Sequence, residues 1–186
     1  MTAQILDSLS VELVVLRCRM GQAEAFTQLA ERFDAPARYF VRRMLGSSQD
    51  MEDVVQELWL TVIRELPRLA AGAAFTTWFY RIARNKAVDR IRRSQKLERC
   101  DTDGLESAAE QTQPESEFGA EDAVAVHRGL DAIAPLHREV LLLRFLEDLS
   151  YEQIAVVTGC SIGTVRSRLF HAKRGLRRAM EHAHVK

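Results

Sequence analysis

Residues 149–176, LSYEQIAVVTGCSIGTVRSRLFHAKRGL, decide how this chain is read. Ser150 followed three residues later by Gln153 is a capping box, each side chain reaching the other's backbone N–H, and it predicts a helix over 151–158. Gly159-Cys160 ends that helix, because glycine accepts the left-handed backbone of a helix C-terminus. Ser161 is placed to cap a second helix. On this second helix Ile162, Val165, Leu169, Ala172 and Leu176 recur every three or four residues and are expected to be buried. The opposite face carries Gly163, Ser167, Phe170, His171, Arg174 and Arg178, flanked by Arg166 and Lys173 on one side and Arg168 on the other. Six fixed positive charges (Arg166, Arg168, Lys173, Arg174, Arg177, Arg178) fall between Gly163 and Arg178 with no acid among them. A helix lying in a major groove needs this combination: small or polar residues reaching base edges, with arginines alongside to neutralise phosphates. An amphipathic surface helix with a solvated basic face is the plainer alternative.

The chain of 186 residues has 26 basic and 26 acidic side chains, and its formal net charge of zero hides a segregation. Thr76–Arg99 holds eight basic residues against Asp89 and Glu98, whereas Asp101–Asp122 holds eight acids and no base. The basic C-terminal helix then follows. Two basic blocks separated by an acidic one suggest two nucleic-acid contacts on a tether. The acidic stretch, CDTDGLESAAEQTQPESEFGAED, has few large apolar residues and is expected to be flexible. Apolar runs such as 13–16 and 140–143 are too short to cross a bilayer. With no basic-then-apolar leader, a cytoplasmic protein without membrane insertion is expected. Cys18, Cys100 and Cys160 lack paired ligand spacing, so neither a disulfide framework nor a metal site is implied.

Almost everything outside the acidic stretch has a helical period and no strand alternation. The expected fold is all-α, two helical domains (1–96 and 123–186) joined by a flexible acidic linker (97–122), the second domain containing a helix-turn-helix. Helices are expected at 11–20, 22–45, 51–66, 77–93, 121–133, 136–146, 151–158 and 162–182. Pro36 should kink or break the second of these near Asp34.

Two further stretches carry chemistry. In Asp50–Leu60, DMEDVVQELWL, Val54 and Leu58 point inward with Val62, leaving Asp53, Gln56 and Glu57 as an outward acidic and polar ridge; a solvated helix face accounts for that ridge equally well. In residues 75–93, FTTWFYRIARNKAVDRIRR, aromatics sit just ahead of arginines. Trp78, Ile82, Asn85, Asp89 and Arg92 share one side of a helix, where an aromatic face beside cations suits unpaired bases. Phe79 reads instead as a core residue.

These three blocks, in this order, resemble an extracytoplasmic-function sigma factor, the smallest class of promoter-recognition subunits of bacterial RNA polymerase. DMEDVVQELWL is similar to the family's polymerase-binding helix. FTTWFYRIARNKAVDRIRR is similar to its promoter-melting and −10 helix. LHREVLLLRFLEDLSYEQIAVVTGCSIGTVRSRLFHAKRGLRRAM is similar to its −35-binding domain. The resemblance implies that Asp53, Gln56 and Glu57 dock on core RNA polymerase. It implies that Trp78, Arg81, Arg84, Asn85, Lys86, Arg90 and Arg93 hold the −10 DNA. Arg166, Ser167, Phe170, His171, Lys173 and Arg174 would meet the −35 duplex. Promoter DNA, core polymerase and an anti-sigma factor are the implied partners. No catalytic set, cofactor, metal or small-molecule substrate is implied. Two departures stand out: Leu69–Ala74, LAAGAA, replaces the polar loop common ahead of the −10 helix, and His171 stands where the family frequently has arginine.

Two other classes are weighed beside this one. A repressor or response regulator shares the C-terminal helix pair but needs a sensing domain, typically with a parallel sheet, and no strand pattern supplies one. A nuclease needs clustered metal-binding carboxylates or histidines, and Asp50, Glu52 and Asp53 diverge around a helix start.

Overall fold

Among the residues that the computed structural model describes (2–46, 50–69, 74–100 and 120–183), every regular element is helical. They are α1 (Thr2–Arg19), α2 (Ala23–Leu45), α3 (Met51–Glu65), α4 (Phe75–Cys100), α5 (Ala120–Asp131), α6 (Pro135–Phe145), α7 (Tyr151–Thr158) and α8 (Ile162–Ala183), with a 3-10 turn at Leu66–Arg68. The acidic stretch from 101 to 119 and the alanine-rich loop 70–73 lie outside the described residues.

The first four helices close around apolar stripes at helical spacing. Ala25, Leu29, Phe33, Ala37, Phe40 and Val41 of α2 meet Val54, Val55, Leu58 and Val62 of α3 and Phe75, Phe79, Ala83 and Ala87 of α4, all buried. Aromatic rings anchor this core. Phe33 meets Phe75 edge-on at 5.0 Å and Phe79 at 5.2 Å, while Phe79 also touches Trp59 at 5.4 Å. Such pairs add about 0.5–1.5 kcal/mol each beyond their burial.

The last four helices pack through α8 and continue the same buried core. Val165, Leu169 and Ala172 are buried against α6, which buries Val140, Leu141, Leu142 and Leu143 together. A helix apolar around its girth must be covered on several sides. α6 is covered by α8, by α7 and by α2 of the first group. A side chain at Gly129 would place its Cβ 2.7 Å from Leu176, so glycine there lets α5 lie close on α8.

Four expectations are corrected. The break expected at Pro36 does not occur, α2 running continuously through it; proline removes one N–H and crowds the preceding turn, but Phe33, Ala37 and Phe40 are buried on both sides of it. α4 continues past residue 96 to Cys100 and α5 begins at Ala120, so helix extends into both ends of the stretch expected to be linker. Neither extension contains a proline or glycine between Arg93 and Cys100 or between Ala120 and Val126. α1 begins at Thr2 rather than Val11. Ile162 is 37% exposed; it occupies the first position of α8, outside the covered stripe.

Candidate nucleic-acid interface

The pair α7–α8 is built by local side-chain chemistry. The Ser150 N–H donates to Gln153 Oε1 at 2.8 Å and the Gln153 N–H donates to Ser150 Oγ at 3.2 Å, the full capping box. Gly159 follows α7 at φ 66°, and its N–H closes the helix on the Ala155 carbonyl at 2.9 Å. The Thr164 N–H donates to Ser161 Oγ at 3.1 Å, which starts α8. Cys160 is half-buried in the turn, 3.1 Å from Thr158 Oγ1.

With Val165, Leu169 and Ala172 buried, Arg166, Ser167, Phe170, His171, Lys173 and Arg174 all stand exposed on α8. The Arg174 guanidinium lies 5.6 Å from the Phe170 ring and Lys173 Nζ lies 5.1 Å from the exposed ring of Phe145. Arg168 turns the other way, half-buried, with Nη1 3.8 Å from Cys160 Sγ. The exposed face therefore offers cations for phosphates together with apolar and imidazole edges for bases.

α4 carries the second basic face, and here the seven residues separate. Arg81, Asn85 and Arg93 are exposed. Trp78 is half-buried, its ring 5.8 Å from Phe75. Phe79 is fully buried, a core residue. Lys86 pairs with Glu57 at 3.1 Å, Arg90 pairs with Asp50, and Arg84 pairs with Glu139 at 2.5 Å. Arg90 holds the Asp50 carboxyl below its ordinary range through that hydrogen bond.

Asp53, Gln56 and Glu57 are exposed on α3. Asp53 and Glu57 nevertheless share a cavity of about 160 Å³ with Asn85, Lys86, Arg90 and Arg93. The structure thus brings part of the acidic ridge and part of the −10 set to one cleft between α3 and α4, where the sequence suggested separate surfaces. Trp78 and Arg81 line a different, larger cleft of about 720 Å³, whose far wall is Glu152, Gln153 and Val156 of α7.

That second cleft opens at a junction between the two helical groups. Glu139 is 1% exposed and its Oε2 has no hydrogen-bond partner. Burial pushes the Glu139 carboxyl above its ordinary range, against the pull of Arg84 and, more weakly, Arg168. The buried Tyr80 hydroxyl faces the Glu147 carboxylate without full hydrogen-bond geometry; burial first, then that charge, hold the phenol far above its usual range. A second strut is Arg138, whose guanidinium donates to the carbonyls of Leu130 at 2.7 Å and Asp131 at 2.9 Å at the end of α5, and of Arg43 at 2.8 Å near the end of α2. Carbonyls in a helix's last turn lack intrahelical donors, so a buried arginine satisfies them well.

Sequence reasoning passed over several of these residues. Leu60 and Ile63 are 60% and 55% exposed beside Gln56 and Trp59, in a groove that also includes Arg38 and Glu52; their departure from the Val54–Leu58–Val62 stripe was the available signal. Arg64 and Arg68 stand with Arg81 around the cleft beside Trp78. Arg138, Glu139 and Glu147 gave one weak hint, ionisable residues within or against an apolar run. Among the described residues no group of three or more His, Cys, Asp or Glu could hold a metal, and no helix is long and apolar enough to cross a membrane.

With this geometry in hand, comparisons place the chain. The Sigma-70 region 2 family matches residues 29–97 and the Sigma-70 region 4 family matches residues 123–176. The chain is 33% identical over 180 residues to the ECF RNA polymerase sigma-E factor of Escherichia coli K12, covering 91% of this chain and 94% of that protein. It is 30% identical over 178 residues to the RNA polymerase sigma-H factor of Pseudomonas aeruginosa, covering 90% and 92%. In fold it resembles the sigma factor RpoE of Bartonella quintana, solved with the anti-sigma factor NepR, at a TM-score of 0.73 and 24% identity over 86% of this chain and 98% of that one. The α4 and α8 surfaces fall within the two matched regions, and this chain belongs to the extracytoplasmic-function sigma factor family of RNA polymerase.

Proposed function

We propose that this chain confers promoter choice on core RNA polymerase through three surfaces: the α3 ridge for the enzyme, α4 for the −10 element and α8 for the −35 element. The observation that carries the reading is the pairing of two cation-bearing helices, α4 in the first helical group and α8 in the second, with the α8 face free of acid along Gly163–Arg178. Asp53, Gln56 and Glu57, extended by the exposed Leu60 and Ile63, dock on a basic and apolar polymerase surface. Arg81 and Arg93 hold −10 phosphates, joined by Arg84, Lys86 and Arg90 once their internal acids release them. Asn85 hydrogen-bonds and Trp78 stacks on opened bases. Unstacking a base costs a few kcal/mol, which such capture offsets. Arg166, Ser167, Phe170, His171, Lys173 and Arg174 meet the −35 duplex. The units are 1–96 and 123–186, tethered by the acidic linker 97–122 whose two ends continue α4 and α5, with α7–α8 acting as the helix-turn-helix. The protein is cytoplasmic, performs no chemistry of its own, leaves nucleotidyl transfer to the polymerase, and is held in check by an anti-sigma factor.

Promoter binding on this reading requires the two helical groups to part. α4 packs on α7, and packed helices have axes about 8–10 Å apart. Elements centred near −10 and −35 are separated by about 85 Å of B-DNA at roughly 3.4 Å per base pair. The arrangement with Arg84 on Glu139 is therefore a closed form that engages one element at most. Copurification with core polymerase, lost on alanine replacement of Asp53, Gln56 and Glu57, tests the docking. A DNA-bound protein that never associates with core polymerase would instead be a repressor.

A further inference from the structure

We infer that His137, on α6 and outside the recognition helix, is a positioning residue for −35 readout: it holds the His171 imidazole edge-on to the DNA. This rests on the proposed −35 role of α8.

The His137 and His171 rings are stacked, with centroids 6.0 Å apart and an interplanar angle of 20°. The Phe170 ring stands nearly perpendicular to His171, 81° at 5.4 Å. Arg174 in turn lies over Phe170 at 5.6 Å. The imidazole thus has one ring nearly parallel to it and a second nearly perpendicular, while the residue itself stays exposed to a ligand. Phe170 is 57% exposed and His171 is exposed, whereas His137 is half-buried and anchored near the start of α6 behind Pro135. The anchored ring orders the free one.

Orientation matters more for this side chain than for an arginine. A neutral imidazole has one donor and one acceptor, where a guanidinium has five donors in a fixed fork, so a misplaced imidazole has no second donor to take up the contact. A lone exposed histidine would lose its ring freedom on meeting a base. Held between His137 and Phe170, it meets the groove already ordered. The benefit is that of one immobilised side chain, about two- to twelvefold in affinity. The matching chemistry is an N–H donated to the N7 acceptor of a purine, next to a thymine whose methyl group takes the exposed edge of Phe170. A contact of this kind discriminates at one base step and leaves the phosphate contacts of Arg166, Lys173 and Arg174 alone.

The test uses the full-length protein with core polymerase on a pool of promoters randomised across the −35 element, the transcribed templates being sequenced. Wild type is expected to select a purine–thymine step. His137→Ala should lose preference at that step by about two- to twelvefold, at the position that His171→Ala also loses, with other positions and the salt dependence unchanged. His137→Phe, which keeps a flat ring, should restore it, and His137→Leu, which fills space without one, should not. A His137→Ala profile equal to wild type, or weakened evenly at all sequences as for a lost phosphate contact, overturns the inference. If His137→Ala does not fold, His137→Leu against His137→Phe decides alone: equal profiles overturn it. Wild type transcribing no promoter at all would sink the sigma-factor reading itself; transcription with no preference at the His171 step sinks only this one.

Discussion

Replacing Arg84 by methionine keeps the aliphatic stem and deletes the charge that faces Glu139. The Glu139 side chain is 1% exposed, 2.5 Å from the Arg84 Nε. Deprived of that partner, the carboxylate either returns to water, which requires α4 and α6 to part, or takes up a proton. Protonation sets the ceiling on the cost. Bringing a carboxyl of ordinary pKa 4.5 to the protonated state at pH 7 costs about 3.4 kcal/mol, at about 1.36 kcal/mol per unit. Burial already outweighs Arg84 in the wild type, so part of this cost is already present and the remainder lies below that ceiling. The closed form should therefore lose ground to the open form, by at most about 300-fold. Small-angle X-ray scattering reads the result: a compact chain of this length has a radius of gyration of about 16 Å, and two halves about 40 Å apart have about 23 Å. The dependence on pH has a definite sign. An acid with a raised folded-state pKa favours the closed form most below its ordinary value, and that contribution fades as pH rises through the raised one. Arg84→Met should be extended at pH 7 and should close again as pH falls toward 4.5. A variant as compact as wild type at pH 7, or one equally extended at both pH values, refutes the reasoning.

Alanine at Asp53, Gln56 and Glu57 together should weaken core-polymerase binding by at least about tenfold in a competition assay, with melting little changed because all three are exposed and the Glu57–Lys86 pair that is lost is a solvated one; equal competition removes the docking assignment. Arg166→Ala should cost about 1–3 kcal/mol at one base pair if the residue reads a base, whereas an even loss on all duplexes with a salt slope shallower by about 0.9 makes it a phosphate contact. Substituting uracil for thymine in the −35 element should weaken binding at the step beneath Phe170 and nowhere else, as measured by mobility shift, since only the methyl group changes. Ser150→Ala removes one side of the α7 capping box and should cost about 0.5–2 kcal/mol in the urea unfolding of the C-terminal helices.

How much of this was legible depends on whether the cause is local. The α7–α8 turn could be read residue by residue, because Ser150, Gln153, Gly159 and Ser161 act on backbone groups within four positions. The exposed face of α8 followed from the spacing of Val165, Leu169 and Ala172. Phe79 was legible as core for the same reason. What escaped is tertiary. Arg84 reads as a phosphate ligand in its own helix and meets its acid 55 residues away. Arg138 caps a carbonyl 95 residues distant, and no periodicity reports that. Pro36 misled because the local penalty for proline is real, yet the burial of Phe33, Ala37 and Phe40 outweighs it. Ile162 fits the stripe by angle but sits where the covering helices end. The pairing of Lys86 with Glu57 shows a further limit: charges on two helices identify candidate surfaces but not whether those surfaces neutralise each other.

On the proposed function, this chain directs core RNA polymerase to promoters through α4 and α8. Run-off transcription by core polymerase, with and without the protein, across a genomic fragment library tests it most directly. A discrete set of transcripts is expected that appear only with the protein and share two upstream elements about 25 base pairs apart, the spacing about 85 Å of duplex allows. Transcripts unchanged by its addition, or stimulated without any shared upstream sequence, contradict it.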